Sequence, residues 1–289
     1  MRGIALIAAA YLLYALGDAA AKLLVHELPV WQVLCVRSAM GVAFCLAAGA
    51  RGALAQMLRA SNRGQLLAMS AANFLAWAAY YAAANYLQLP QLYVMYYVSP
   101  ILATLMAGAM LGEVVRTVHW LATLLGFGGV LLAVPPVGPL PALLPALLGL
   151  AAAVLWAYSS VLYRANVARN SNLELMLINN LAMLLCSGAP MPWLWHGPAW
   201  PQWGLLALTG VTGLAAHYLY LSGIRRVPVA VAGPIGFSSL LWSVVLGYLV
   251  WHELPGWNML AGGALIMLAA LLMLAAGGAP AAGAVRGGE

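Results

Sequence analysis

The strongest constraint in this chain is a repeated one: apolar stretches of about twenty residues follow one another, each ended by proline, glycine or charge. A stretch of that length crosses the hydrocarbon layer of a bilayer as an α-helix, because each backbone N–H and C=O then bonds within its own segment. The punctuation delimits ten spans at 3–26, 30–50, 65–86, 90–111, 117–134, 142–164, 172–193, 203–223, 229–250 and 256–276. It consists of His26-Glu27-Leu28-Pro29, the stretch from Arg51 to Arg63, Leu89-Pro90, the linker from Pro135 to Pro141, Gly197-Pro198 and Leu254-Pro255. Of 289 residues 65% are hydrophobic and only 6% charged, where a soluble domain has roughly a quarter charged. That composition excludes a soluble enzyme, a secreted disulfide scaffold and a disordered regulator. Residues 277–289, rich in glycine and alanine, are expected to form a disordered tail. Arg2 and the apolar run behind it imitate a signal peptide, but Asp18 and Lys22 continue the same helical pattern, so this is read as the first membrane helix. Cys35, Cys45 and Cys186 each sit in an apolar run without a C-x-x-C, and are read as packing residues rather than metal ligands.

The basic residues supply the orientation. Arg2, Arg51, Arg59, Arg63, Arg116, Arg164, Arg169, Arg225, Arg226 and Arg286 all fall on the N-terminal side of the spans, and the opposite loops hold no base. The positive-inside rule therefore places both termini in the cytoplasm, with the chain in a bacterial inner membrane. Trp31, Trp193, Trp195, Trp200, Trp203, Trp251 and Trp257 gather at the other ends of the spans, as an interfacial aromatic belt does. The net charge of +6 is thus a topology signal, and no nucleic-acid partner is expected.

The Pro-rich linker lies near the middle of the chain, which suggests duplication. Tyr14-Ala-Leu-Gly-Asp18-Ala-Ala-Ala-Lys22 aligns with Trp156-Ala-Tyr-Ser-Ser160-Val-Leu-Tyr-Arg164, and Leu111-Gly112-Glu113 with Trp251-His252-Glu253. Five spans per half is an odd number, so the halves must run oppositely through the membrane. The expected fold is all-α, ten transmembrane helices in two inverted five-helix repeats, 1–134 and 142–276. Such repeats characterise secondary transporters that hold their solute between the halves.

The motifs Gly17-Asp-Ala-Ala-Ala-Lys22, Pro29-Val-Trp-Gln-Val, Arg37, Tyr97-Val-Ser-Pro100, Leu111-Gly-Glu113 and Gly126-Phe-Gly-Gly129 resemble the EamA-type transporters of the drug/metabolite transporter superfamily. The second half repeats the plan with Trp156 and Glu253, and departs from it at His252, where the family usually has glycine. The resemblance covers nearly the whole chain. It implies ten helices and transport of a small organic metabolite, with export preferred.

Charged and aromatic residues inside the spans are the candidate site. Asp18 and Lys22, four residues apart with Tyr11 and Tyr14 near them, share a helix face, so they either neutralise each other or meet a zwitterion or a proton. Arg37 has no acid within a helical turn, and Asp18 is its expected partner. Trp77, Tyr80 and Tyr81 on the third span, Tyr96 and Tyr97 on the fourth, and His217 and Tyr220 on the eighth are expected to line the solute site. Small residues of the ninth, Gly233 and Gly236, are expected to give the pocket space beside Phe237. Glu113 and Glu253 close the fourth span of each half, and are read as caps or gates. Asn179 and Asn180 are read as interhelical bonds or ligand contacts.

These residues define the expected function: a secondary transporter, not an enzyme, with no catalytic residues, cofactor or metal. Its solute is expected to be an amino-acid-like or amino-acid-derived zwitterion, metallophore-type compounds included. The alternative is an importer or exchanger of a flat polar vitamin or nucleoside-like solute, of riboflavin or S-adenosylmethionine type. A remote alternative, an intramembrane serine protease, rests on Gly236-Phe237-Ser238 with His217 or His252. The expected partners are the lipid bilayer, the small-molecule solute and a proton or counter-substrate, acting on a monomer or homodimer.

Overall fold

The computed structural model describes residues 2–52, 62–111, 117–133, 140–167, 169–224, 226 and 238–275. Glu113, Gly233, Gly236, Phe237 and the tail 277–289 lie outside the described residues. Among those described, the regular structure is entirely helical. The long helices are α1 (Arg2–Val25), α2 (Val30–Ala47), α3 (Arg63–Ala84), α4 (Leu89–Tyr96), α5 (Ser99–Leu111), α6 (Thr117–Ala133), α7 (Leu140–Asn166), α8 (Asn172–Gly188), α9 (Trp200–Ile224), α10 (Ser238–Trp251) and α11 (Trp257–Ala275). Among the described residues, six segments are long and apolar enough to cross a membrane: α1, α2, α3, the run Leu89–Met110, Leu143–Tyr163 and Trp200–Gly223. Shorter apolar helices cover Trp120–Ala133, Leu241–Trp251 and Trp257–Ala269.

The fourth stretch, expected as one helix over 90–111, is two. Pro100 has no N–H for the carbonyl of Tyr96, so the i→i−4 ladder cannot run through this point. The chain tightens there into i→i−3 bonds, Val98 N–H to Met95 C=O at 3.2 Å and Ile101 N–H to Val98 C=O at 3.1 Å. Helix α8 starts where Ser171-Asn-Leu-Glu174 forms a capping box: Glu174 N–H donates to Ser171 Oγ at 3.2 Å and Ser171 N–H to Glu174 Oε2 at 2.7 Å. The ninth stretch, expected from 229, is helical from Ser238 among the described residues.

The distribution of polarity is that of a protein solvated by lipid. Leu67, Leu121, Leu124, Leu185, Leu241, Leu249 and Leu271 are all more than half exposed or nearly so, while Asp18, Lys22, Gln32, Asn73, Asn179, Thr209 and Thr212 are buried. Water would penalise that many exposed leucines, whereas hydrocarbon penalises outward polar groups instead. The chain is therefore a multi-pass membrane protein.

The most extensive helix pairings are α1 with α9, α2 with α8, α3 with α7 and α6 with α11. Each joins a helix before the central linker to one after it. Close approach is written into α1–α9 by Gly17, where an added Cβ would lie 2.7 Å from Thr212 Oγ1. Polar clamps close both ends of the bundle. At one end the Gln32 amide donates to His196 C=O at 2.7 Å and accepts from His196 N–H at 3.0 Å. At the other, Asn62 Nδ2 donates to Asn166 Oδ1 at 2.5 Å.

Candidate substrate-binding site

Helix α1 carries Tyr11, Tyr14 and Asp18 at i, i+3 and i+7, one stripe of one face. That stripe looks into a cavity whose other walls include Trp77 and Tyr80 of α3, Tyr93 and Tyr96 of α4, Trp156 of α7 and Ser239 of α10. The rings brace one another edge to face: Trp77 against Trp156 at 5.6 Å between centroids, and Trp77 against Tyr80 at 5.9 Å. Asp18 is 8% exposed, and its Oδ2 accepts from the hydroxyls of Tyr93 at 2.6 Å and Tyr80 at 3.3 Å. No base among the described residues forms an ion pair with it. It is a buried carboxylate held by neutral donors and turned toward a cavity.

A second cavity lies across Trp77, which lines both. Its walls carry Arg37 of α2, Asn73 of α3, Asn179 and Asn180 of α8, and Gly213 and His217 of α9. The Arg37 guanidinium stacks on the Trp77 ring at 4.0 Å, and Nη1 donates to the Tyr81 hydroxyl at 2.5 Å. It too has no acid in ion-pair contact among the described residues. His217 ties the cavities together, Nδ1 bonded to the Tyr14 hydroxyl at 3.1 Å and Nε2 to that of Tyr163 at 3.4 Å.

Two expected pairings are corrected. Lys22 does not neutralise Asp18: its Nζ donates to Glu253 Oε1 at 2.6 Å and lies 4.5 Å over the Trp251 ring. The cause is position, since Lys22 lies a turn nearer the helix end, where α10 delivers Glu253. Glu253 also accepts from the N–H of Leu89 at 3.3 Å, satisfying a free donor at the start of α4, which is the cap-like arrangement anticipated for it. Nor do Asp18 and Arg37 pair. Tyr80 and Tyr93 occupy one and Tyr81 the other, and Trp77 stands between their cavities.

Of the residues expected at the site, Trp77, Tyr80, Tyr96 and Asp18 line the first cavity, and Arg37, Trp77 and His217 the second. Tyr81 is fully buried and serves Arg37, and Tyr97 bonds Ser239 at the break between α4 and α5. Tyr220 packs edge to face on Tyr11 at 6.0 Å, behind the cavity wall. Tyr11, Tyr14, Tyr93 and Trp156, which are outside the expected lining set, also line the first cavity. Their signal was present: the Tyr11–Tyr14–Asp18 stripe, and Trp156 at the position matching Tyr14 in the second half. Ser238 Oγ is buried without a hydrogen-bond partner, and both ring nitrogens of His217 engage tyrosines, so no base serves that serine among the described residues. Those residues also contain no group of three His, Cys, Asp or Glu able to hold a metal.

A lipid-facing helical bundle with buried cavities lined by helices from both sides of the linker has the architecture of a membrane transporter. The family model of the EamA-like transporter family matches residues 1–134 and 143–275, and the chain belongs to that family, within the drug/metabolite transporter superfamily. The pseudopaline exporter CntI of Pseudomonas aeruginosa strain PAO1 is 24% identical over 265 residues, covering 90% of this chain and 91% of the relative. The protein of the same description in strain UCBPP-PA14 matches equally, at 24% over 265 residues. A solved crystal structure shares the fold with a TM-score of 0.64 and 21% identity, over 93% of this chain and 95% of that one.

Proposed function

We propose that this protein exports a small amphoteric metabolite, amino-acid-like or amino-acid-derived with metallophore-type compounds included, across a bacterial inner membrane by alternating access. The observation that carries the reading is Asp18: a buried carboxylate held only by tyrosine hydroxyls, at a cavity walled by helices from both sides of the linker. Intramembrane charge is costly, and one with no ion-pair contact among the described residues fits a visiting cation. Aromatic faces hold the apolar part of such a solute and attract its cationic end. The same carboxylate suits a coupling proton or a counter-substrate.

The moving parts are two inverted five-helix repeats, 1–134 and 142–276, in which α4 and α5 together make the fourth span. The helix pairings support this. Exchanging each span for its counterpart five places on turns α1–α9 into α7–α3, and returns α2–α8 and α6–α11 to themselves. The family model, matching in two segments with the linker between them, agrees. Both termini are cytoplasmic, in keeping with arginines such as Arg63, Arg169 and Arg226 on one side only. The description of the Pseudomonas relative as an exporter supports the direction.

Proteoliposomes offered labelled amino acids and amino-acid-derived zwitterions should show saturable counterflow without ATP, lost in Asp18→Asn. Unsaturable or ATP-dependent flux overturns the reading. The aromatic walls favour one second reading, a flat polar solute, and riboflavin and S-adenosylmethionine in the same panel test it. Cysteines introduced near Pro139 and Gly197 should label from the periplasm and those near Arg59 and Arg225 should not. Labelling near Arg59 from outside reverses the orientation.

A further inference from the structure

We propose that the Arg37 cavity is a second solute subsite that takes an amino-acid-type head, carboxylate with its α-ammonium, of an elongated solute whose cationic far end occupies the Asp18 cavity. The proposal rests on the carrier reading above and names its substrate class.

Three observations carry it. First, Arg37 is a cation without an anion: among the described residues it makes no ion pair, and Nη1 bonds only a neutral hydroxyl. Stacking on Trp77 fixes the plane of the guanidinium, and a planar fork of N–H donors matches a carboxylate. Second, Gly213 sets where the guanidinium lies. A Cβ there would sit 2.9 Å from both Nε and Nη2, so only the absence of a side chain on α9 lets Arg37 take this place in the cavity wall. Third, Asn179 is 6% exposed and lines this cavity, yet its Oδ1 is buried with no hydrogen-bond partner while its Nδ2 donates to Asn73 Oδ1 at 3.2 Å. A buried acceptor without a donor is costly, and an ammonium N–H supplies one.

The two cavities share the Trp77 wall, and the Tyr14–His217 bond crosses the same boundary. A solute lying along Trp77 thus meets a carboxylate on one side and a guanidinium on the other. The site selects dipolar molecules with separated ends.

The test uses purified full-length protein and three matched probes: L-arginine, agmatine, which lacks the carboxylate, and 5-guanidinopentanoate, which lacks the α-ammonium. Isothermal titration calorimetry reads binding, and thermal unfolding reports integrity. The wild type should bind L-arginine about tenfold more tightly than either analogue, the scale of one hydrogen bond to a charged group. Arg37→Gln should bring L-arginine down to the level of agmatine while leaving agmatine within about twofold, since only the carboxylate contact is lost. Gly213→Ala should do the same with the guanidinium retained, which guards against an unfolded Arg37 variant. Asn179→Leu should bring L-arginine to the level of 5-guanidinopentanoate. Equal wild-type affinities, an equal loss of L-arginine and agmatine in Arg37→Gln, or no binding of any probe overturns the proposal. The carrier reading fails separately, on absent saturable flux of every amphoteric solute in wild-type liposomes.

Discussion

Asp18 and Lys22 are one helical turn apart on α1, both are buried, and the protein treats them oppositely. Lys22 is answered from within the chain by a carboxylate at 2.6 Å and an indole face. Among the described residues Asp18 is hydrogen-bonded by hydroxyls and by no base, and opens on a cavity. The difference separates structure from function. A buried charge neutralised by its own protein holds helices together, whereas one held by neutral donors keeps its charge for a ligand.

The largest expected effect breaks the comparison on the Asp18 side. Asp18→Asn keeps shape and hydrogen bonding but removes the charge, so counterflow should fall to the level of empty liposomes. The melting temperature should stay within about 2 °C, because no ion pair is lost. A large drop in melting temperature would place Asp18 with Lys22 as a structural charge.

On the Lys22 side the pattern inverts. Glu253→Gln leaves Lys22 as an unpaired buried cation and should destabilise by about 3 kcal/mol. The pair Lys22→Met with Glu253→Leu should recover most of that in a double-mutant cycle of thermal unfolding, because nothing charged is then stranded. At temperatures where Glu253→Gln is folded, its affinity for solute should match wild type, and a shift in affinity with unchanged stability would make Glu253 a gate instead.

Smaller effects sharpen the boundary of the cavity. Trp156→Ala removes an aromatic wall braced on Trp77 and Tyr96, and should weaken solute binding by about tenfold, the scale of one aromatic contact. Tyr97→Phe deletes the bond to Ser239 at the break between α4 and α5, and should cost about 1 kcal/mol of stability with affinity unchanged. The reverse result, intact stability with weakened binding, would move Tyr97 into the site.

Much of this was legible before folding. Hydrophobic run length and punctuation located α1 to α3 to within a few residues, because the bilayer imposes segment length directly. The break at Tyr97-Val98 was missed although Pro100 announced it, because apolar run length is blind to backbone bonding. Helical spacing placed Tyr14 with Asp18, and Trp77 with Tyr80 and Tyr81. It could not say which helix answers them. Asp18 meets Tyr93 across 75 residues, and Lys22 meets Glu253 across 231, so these partners are fixed by bundle topology rather than local pattern. Neither the Asp18–Lys22 pair, one of the two readings of those residues, nor the expected Asp18–Arg37 pair is formed, because Lys22 meets Glu253 and Arg37 meets Tyr81.

The contrast between the two α1 charges is tested most directly by carboxyl modification under ligand protection. The full-length protein is treated with the hydrophobic reagent dicyclohexylcarbodiimide, with and without saturating agmatine, and the adducts are mapped by mass spectrometry. The account predicts an adduct on Asp18 that agmatine suppresses, with Glu253 unmodified in both samples because its carboxylate is held by Lys22 and the Leu89 N–H. An Asp18 adduct indifferent to agmatine, or agmatine-sensitive labelling at Glu253 instead, would contradict it.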